Sequence, residues 1–262
     1  MAWILIMDST ALARGKKIKI PFFDGVKLQI TNAHPKLTNA SHMIRDINIL
    51  TGSNLRDWDS IDIFTLDVVF WKDLSRYFKA DLAVSGTTGS LVASGKAFPD
   101  TPLEMGIRMR QRYSDLMVWT NLYYYPFTTN YKDRYKSGHI FEPFIAVGLG
   151  YTLFRSESVF KLRKKNLLYN RVKNNWYGHG WGYKMMTGFN INPENISSKL
   201  EGWVITFSAF YIWNRLKGHS NMHLTDGLKI GGRQAGLDIQ ADNRMDIDLT
   251  GPCFSLAIGH YF

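Results

Sequence analysis

The chain has 262 residues, of which 45% are hydrophobic and 14% aromatic, and it carries a net charge of +10. Mean hydropathy is −0.19, and the longest purely apolar run, residues 2–7, falls far short of the roughly 18 residues a spanning helix needs. A helical membrane protein is thereby excluded. The lone cysteine, Cys253, excludes an intramolecular disulfide and a cysteine-built zinc cluster.

In chain order, residues 1–13 read as the remnant of an export signal. Residues 2–7 have the character of an h-region, and Ala11-Leu12-Ala13 that of an A-x-A cleavage site. Residues 14–60 form an N-terminal segment with a hairpin candidate over 17–30, around Asp24-Gly25. From 61 to 262 the recurring signal is period 2, which is the strand signal. Predicted strands are 61–71, 77–85, 103–112, 116–127, 141–153, 181–191, 203–214 and 253–262. That makes eight, and the hairpin would raise the count to ten. Residues 113–115 would be a very short outer turn, 86–101 a long inner one, and 192–200 a short inner turn. Residues 155–179 and 215–252 would be long outer loops.

The two faces of these strands differ in size as well as polarity. Along 141–153, Ile145, Val147, Leu149, Tyr151 and Leu153 oppose Glu142, Ala146, Gly148, Gly150 and Thr152. A soluble barrel hides its bulky apolar face inside, and a dry core of Gly148, Gly150, Gly182, Gly188 and Gly259 would be badly underfilled. Turned inside out, bulky groups meet lipid and small or charged groups fill a narrow interior. Trp203 and Trp213 bracket one such stripe, which spans about 25 Å along a membrane normal at roughly 40° tilt. With Trp181 they form a predicted lipid-facing aromatic belt. The fold class is thus all-β: an antiparallel transmembrane β-barrel of eight strands, or ten with the hairpin, bearing long extracellular loops.

The run Phe141-Glu142-Pro143-Phe144-Ile145-Ala146-Val147-Gly148-Leu149-Gly150-Tyr151 resembles the Pro-aromatic-x-x-x-Gly-x-Gly-Tyr strand of the small outer-membrane barrel superfamily that includes OmpW- and OmpA-type barrels. Residues 182–188 resemble that group's following strand, and 251–262 its closing one. Phe262 is similar to the terminal signal read by the barrel-assembly machinery, although His260 stands where the family usually has an aromatic. The resemblance covers roughly 141–262. It implies an integral protein of the bacterial outer membrane, with outer-membrane lipid as its surroundings and both termini periplasmic.

Candidate chemistry is sparse. Residues 155–177 hold Arg155, Lys161, Arg163, Lys164, Lys165, Arg171 and Lys173 against Glu157, a pattern suited to lipopolysaccharide phosphates or another anionic partner. Glu104, Arg108, Arg110, Glu142 and Lys184 are predicted to point into the lumen. Paired there, they would plug it; unpaired, they would line a pore. Gly218-His219-Ser220-Asn221 invites comparison with lipid A deacylase barrels, with Asp226 or Asp238 orienting His219. The adjacency of His219 and Ser220 would send them to opposite faces of a regular strand. Asp238, Asp242, Asp246 and Asp248 offer oxygen ligands, but in no recognised metal motif. No cofactor, resident metal or nucleic-acid partner is expected. The reading is a monomeric, non-enzymatic barrel with an envelope-structural, narrow-channel or surface-binding role, and a His219/Ser220 lipid A hydrolase is the alternative.

Overall fold

Alternating side chains give each long segment two unlike faces, and its backbone groups can be satisfied only by pairing sideways with other segments. In the computed structural model, which describes residues 22–33, 38–56, 63–127, 140–164, 167–223, 228–230, 233–235 and 244–262, that pairing closes on itself. The elements are β1 (Gly25–Ala33), α1 (Thr38–Thr51), β2 (Ile63–Asp73), β3 (Phe78–Ala97), β4 (Met105–Tyr124), β5 (Phe141–Lys164), β6 (Leu167–Ile191), β7 (Trp203–His223), β8 (Leu228–Ile230), β9 (Arg233–Ala235), β10 (Arg244–Asp248) and β11 (Gly251–Tyr261). Strands β1 to β7 pair in sequence, and β11 joins β7 back to β1, giving eight antiparallel strands in a closed ring. Gly25 pairs with both Tyr261 and Trp71, which seals the seam. Strand β10 adds to the outer part of β7, opposite Arg215 to His219.

The count of eight stands, but its membership changes. The predicted strands 103–112 and 116–127 are one strand, β4, so the turn at 113–115 does not exist. The missing strand is β1, so the barrel begins at Gly25 rather than at 61, and no ten-stranded arrangement forms. Residues 86–101 are mostly the continuation of β3. Residues 155–177 belong to a long β5–β6 hairpin rather than a loop, with Arg155 opposite Tyr177. Residues 1–13 and the first part of the hairpin candidate lie outside the described residues.

One inversion of polarity organises the molecule. In the lower half, β5 turns Ile145, Val147, Leu149 and Leu153 outward and buries Glu142, Ala146 and Thr152. The outward apolar stripe from Phe141 to Leu153 is roughly 30 Å tall at about 40° tilt. Past it, the faces exchange character. On β4, Leu116, Val118 and Leu122 point out, whereas Ile107, Met109 and Tyr113 point in and Arg108, Arg110 and Arg112 point out. The exchange falls on two adjacent rungs of the ladder, where Ser114 pairs with Arg155 and Asp115 with Phe154. The barrel is therefore inside-out along its apolar band and ordinary beyond it.

The extension encloses its own apolar core. Ile44, Leu55, Ile63, Ile107, Met109, Phe154, Leu162 and Leu216 pack there, all under a tenth exposed. Helix α1 covers this core with Ile44 and Ile47. Gly52, at φ +60°, lets the chain turn back after the helix. The Asn48 side chain then fastens the returning segment, donating to Leu55 O and accepting from Leu55 N, each at 2.9 Å.

Candidate functional site

The exchange of faces on β4 and β5 puts a basic collar just above the apolar band. Arg108, Arg110, Arg112, Arg155 and Arg163 are exposed on the outer surface, and Lys161 is half-buried on the same face. Arg108 stands opposite Lys161, Arg112 opposite Glu157, and Gly106 opposite Arg163. Among the described residues, Arg108, Arg110 and Arg112 have no ion-pair partner. Arg155 lies over the Tyr177 ring at 5.6 Å. On β7, Arg215 and Lys217 are also exposed.

Within the collar, β3, β4 and β5 leave a hollow of about 460 Å³. Its outward lining is Thr88, Ser90, Arg110, Arg112, Ser114, Arg155 and Glu157, with Gly89 and Tyr113 at its floor. The hydroxyl residues are short, and so leave open space between the long arginines. Tyr113 lies on the inner side against Gly89, where a Cβ would come within 2.2 Å of its hydroxyl. Large residues inside are thus fitted to glycines in the wall.

Of the predicted anion-binding residues, the described side chains are those of Lys161, Arg163 and Lys164. Lys161 and Arg163 belong to the collar. Lys164 sits at the hairpin tip and donates to Pro102 O at 2.7 Å. Arg171 and Lys173 take ladder positions opposite Lys161 and Val159, and Lys165 lies outside the described residues. Sequence reasoning missed Arg112 and put Arg108 and Arg110 in the lumen; the structure corrects this, because the apolar face of β4 turns inward at that height. Glu104 is also not in the lumen. It pairs with Lys96 at 2.9 Å in the β3–β4 turn. The hydrogen bond from Lys96, seconded by the backbone N–H of Asp100, holds its carboxyl below the usual range, and the same bond raises Lys96.

Glu142 and Lys184 are buried in the interior, and that interior is filled. At one end, Lys79 donates to the Tyr261 hydroxyl at 3.1 Å and lies 5.2–5.4 Å from the rings of Trp71, Tyr125 and Tyr261. Higher up, Asp81 accepts from Tyr123 at 2.5 Å and faces Lys27 at 3.8 Å. Lys184 lies over Trp119 at 4.7 Å and Phe210 at 5.1 Å. Asp67 accepts from Gln29, Thr31 and Thr65. The wall glycines accommodate this filling: a Cβ on Gly150 would meet the Trp119 ring at 2.3 Å, and one on Gly148 would meet Asn121 Oδ1 at 2.2 Å.

The belt tryptophans are all on the outer face. Trp181 and Trp203 are exposed, and Trp213 stacks on Tyr183 at 5.1 Å. His219 and Ser220 take successive ladder positions in β7, opposite Tyr177 and Trp176. Successive positions of a regular strand do not share a face, so the ladder does not supply the arrangement a nucleophile and its base require. Asp226, Asp238 and Asp242 lie outside the described residues. Among the described residues, no group of His, Cys, Asp or Glu is arranged to hold a metal ion.

No family model and no curated relative matches the chain. Among solved structures it is similar to the outer membrane protein OprG from Pseudomonas aeruginosa, at 14% identity and a TM-score of 0.47, over 92% of this chain and 96% of that one. It is also similar to the outer membrane protein AlkL in lipid bilayers, at 13% identity and 0.35, over 94% of each chain. A third is Ail, the attachment invasion locus protein of Yersinia pestis, at 10% identity and 0.35, over 91% of this chain and 99% of that one. Likeness at this level carries no statement about activity. The barrel itself rests on the strand pairing of this chain.

Proposed function

We propose that this chain is an integral outer-membrane barrel with a closed lumen, whose basic collar grips the phosphates of lipopolysaccharide in the outer leaflet. The observation that carries the reading is the exchange of faces between Leu116 and Tyr113 on β4, matched on β5 between Leu153 and Phe154. An exposed apolar band of this height calls for hydrocarbon around it. The collar begins at the upper edge of that band, where headgroup phosphates would lie. The long strands and α1 then form the external end, and the seam between Gly25 and Tyr261 the periplasmic end.

Exposed guanidinium–phosphate contacts are screened by salt over about 8 Å at physiological ionic strength. Reversing Lys161 and Arg163 to Glu should therefore weaken association of the refolded protein with lipopolysaccharide at low salt. The difference should shrink as salt is raised. Equal association at low salt would show that the collar is only solvated. A lipid A mass change on expression, abolished by His219→Ala, would instead establish the hydrolase reading.

A further inference from the structure

We infer that the hollow over β3, β4 and β5 is a phosphate subsite, which takes a phosphate monoester carried on the sugar of a glycolipid in the same leaflet. The inference rests on the reading of the collar as a lipopolysaccharide-binding surface and assigns one place within it. Arg110 and Arg112 are two apart on one strand and so share its outer face. Arg155 arrives from β5 beside Ser114, one rung nearer the lipid. Like charges side by side on a sheet repel, and among the described residues Arg110 and Arg112 have no ion-pair partner to relieve this. A bound anion would.

The chemistry of the lining suits phosphate. Each guanidinium presents a planar fork that matches a pair of phosphate oxygens. Thr88, Ser90 and Ser114 add short hydroxyl donors, and their small size leaves the hollow open. Arg155 is steadied by the ring of Tyr177 beneath it. Glu157, opposite Arg112, is the single carboxylate of the lining. Its presence favours one compact anion over a densely charged polymer. Position then selects the source. One rung below Ser114 and Arg155, on the same face, are Leu116 and Leu153, both lipid-facing. A ligand in the hollow could lay acyl chains on the band while its phosphate meets the arginines.

The test is titration of the refolded full chain, in neutral detergent, with a phosphorylated glucosamine-disaccharide lipid and with its dephosphorylated form. The wild type should bind the phosphorylated form roughly tenfold more tightly, and R110Q/R112Q should erase that preference. R110K/R112K keeps the charge without the fork and should give an intermediate ratio. K161E/R163E, outside the hollow, acts on the phosphate only at long range and should lower the ratio less than R110Q/R112Q does, the loss fading as salt is raised. A ratio unaltered in R110Q/R112Q overturns the subsite while leaving the collar reading intact. Failure of the wild type to bind either lipid overturns both. Equally tight binding of free glucosamine phosphate overturns the lipid-borne source. Both arginines are exposed, so an unchanged melting temperature in the variants will show that folding is not at issue.

Discussion

A glycine under an aromatic ring is the recurring device at the scale of single residues. Trp119 lies against Gly150, and Trp71 against Gly25 and Gly259. The wall gives up side-chain volume so that a large lumen residue can cross a narrow bore. Gly150→Leu should therefore force the Trp119 indole aside, and overpacking of this kind costs about 1–3 kcal/mol. Leu149→Met, the adjacent position on the outer face, should cost less than about 1.5 kcal/mol. Urea unfolding from lipid vesicles will measure both, and equal costs would mean that Trp119 has room to move. The glycines were legible in the sequence as an inward face, because a dry soluble core could not be built from them. Which ring fills which glycine was not legible, since that depends on register between strands distant in sequence.

At the scale of the strand, the informative feature is a slip in the phase of alternation. On β4 the apolar residues fall on odd positions through Tyr113, and from Leu116 the outward even positions become apolar as well, with Trp119 and Tyr123 still on odd ones. Period-2 reading takes such a break as a turn, and so one strand of 20 residues becomes two short ones. The same slip misplaced Arg108 and Arg110, because the apolar face was taken as outward throughout. It also hid the hollow, whose arginines were split between lumen and loop. Helix α1 escaped notice for another reason. Ile44 is buried while Ile49 and Leu50 are exposed, so its apolar residues do not lie on one stripe.

The phase slip can be tested within β4. Leu122→Arg would place a charge on the lipid face of the band and should cost about 2–4 kcal/mol. Met109→Arg would bury an unpaired charge in the outer core, where about 3–5 kcal/mol is expected. Arg110→Leu, one residue away on the outer face, should stay within about 0.5 kcal/mol. If Met109→Arg proves as mild as Arg110→Leu, the outer extension has no dry core and the exchange of faces is wrong.

For the whole molecule, the question is whether a barrel with so polar an interior conducts. The filling is arranged in series. Lys79 with Trp71, Tyr125 and Tyr261 occupies one end, and Lys184 with Trp119 and Phe210 the middle. The apolar core under α1 lies beyond them. An ion would have to displace every layer in turn, and the last is mainly apolar, with few polar side chains beside it, Gln111, Ser156 and Ser158 among them, to replace its hydration. The wild type should therefore give no steps above the leak of a protein-free planar bilayer, under conditions where a porin inserted in parallel conducts. Trp119→Ala combined with Lys184→Ala empties only the middle layer, so it should remain silent as well. Conductance in the wild type would mean that the layers open together, and the closed-lumen reading would fall. Conductance confined to the double variant would make the middle layer the only barrier and the outer core permeable. Silence in both, with the double variant still folded, is the result that obstruction in series demands.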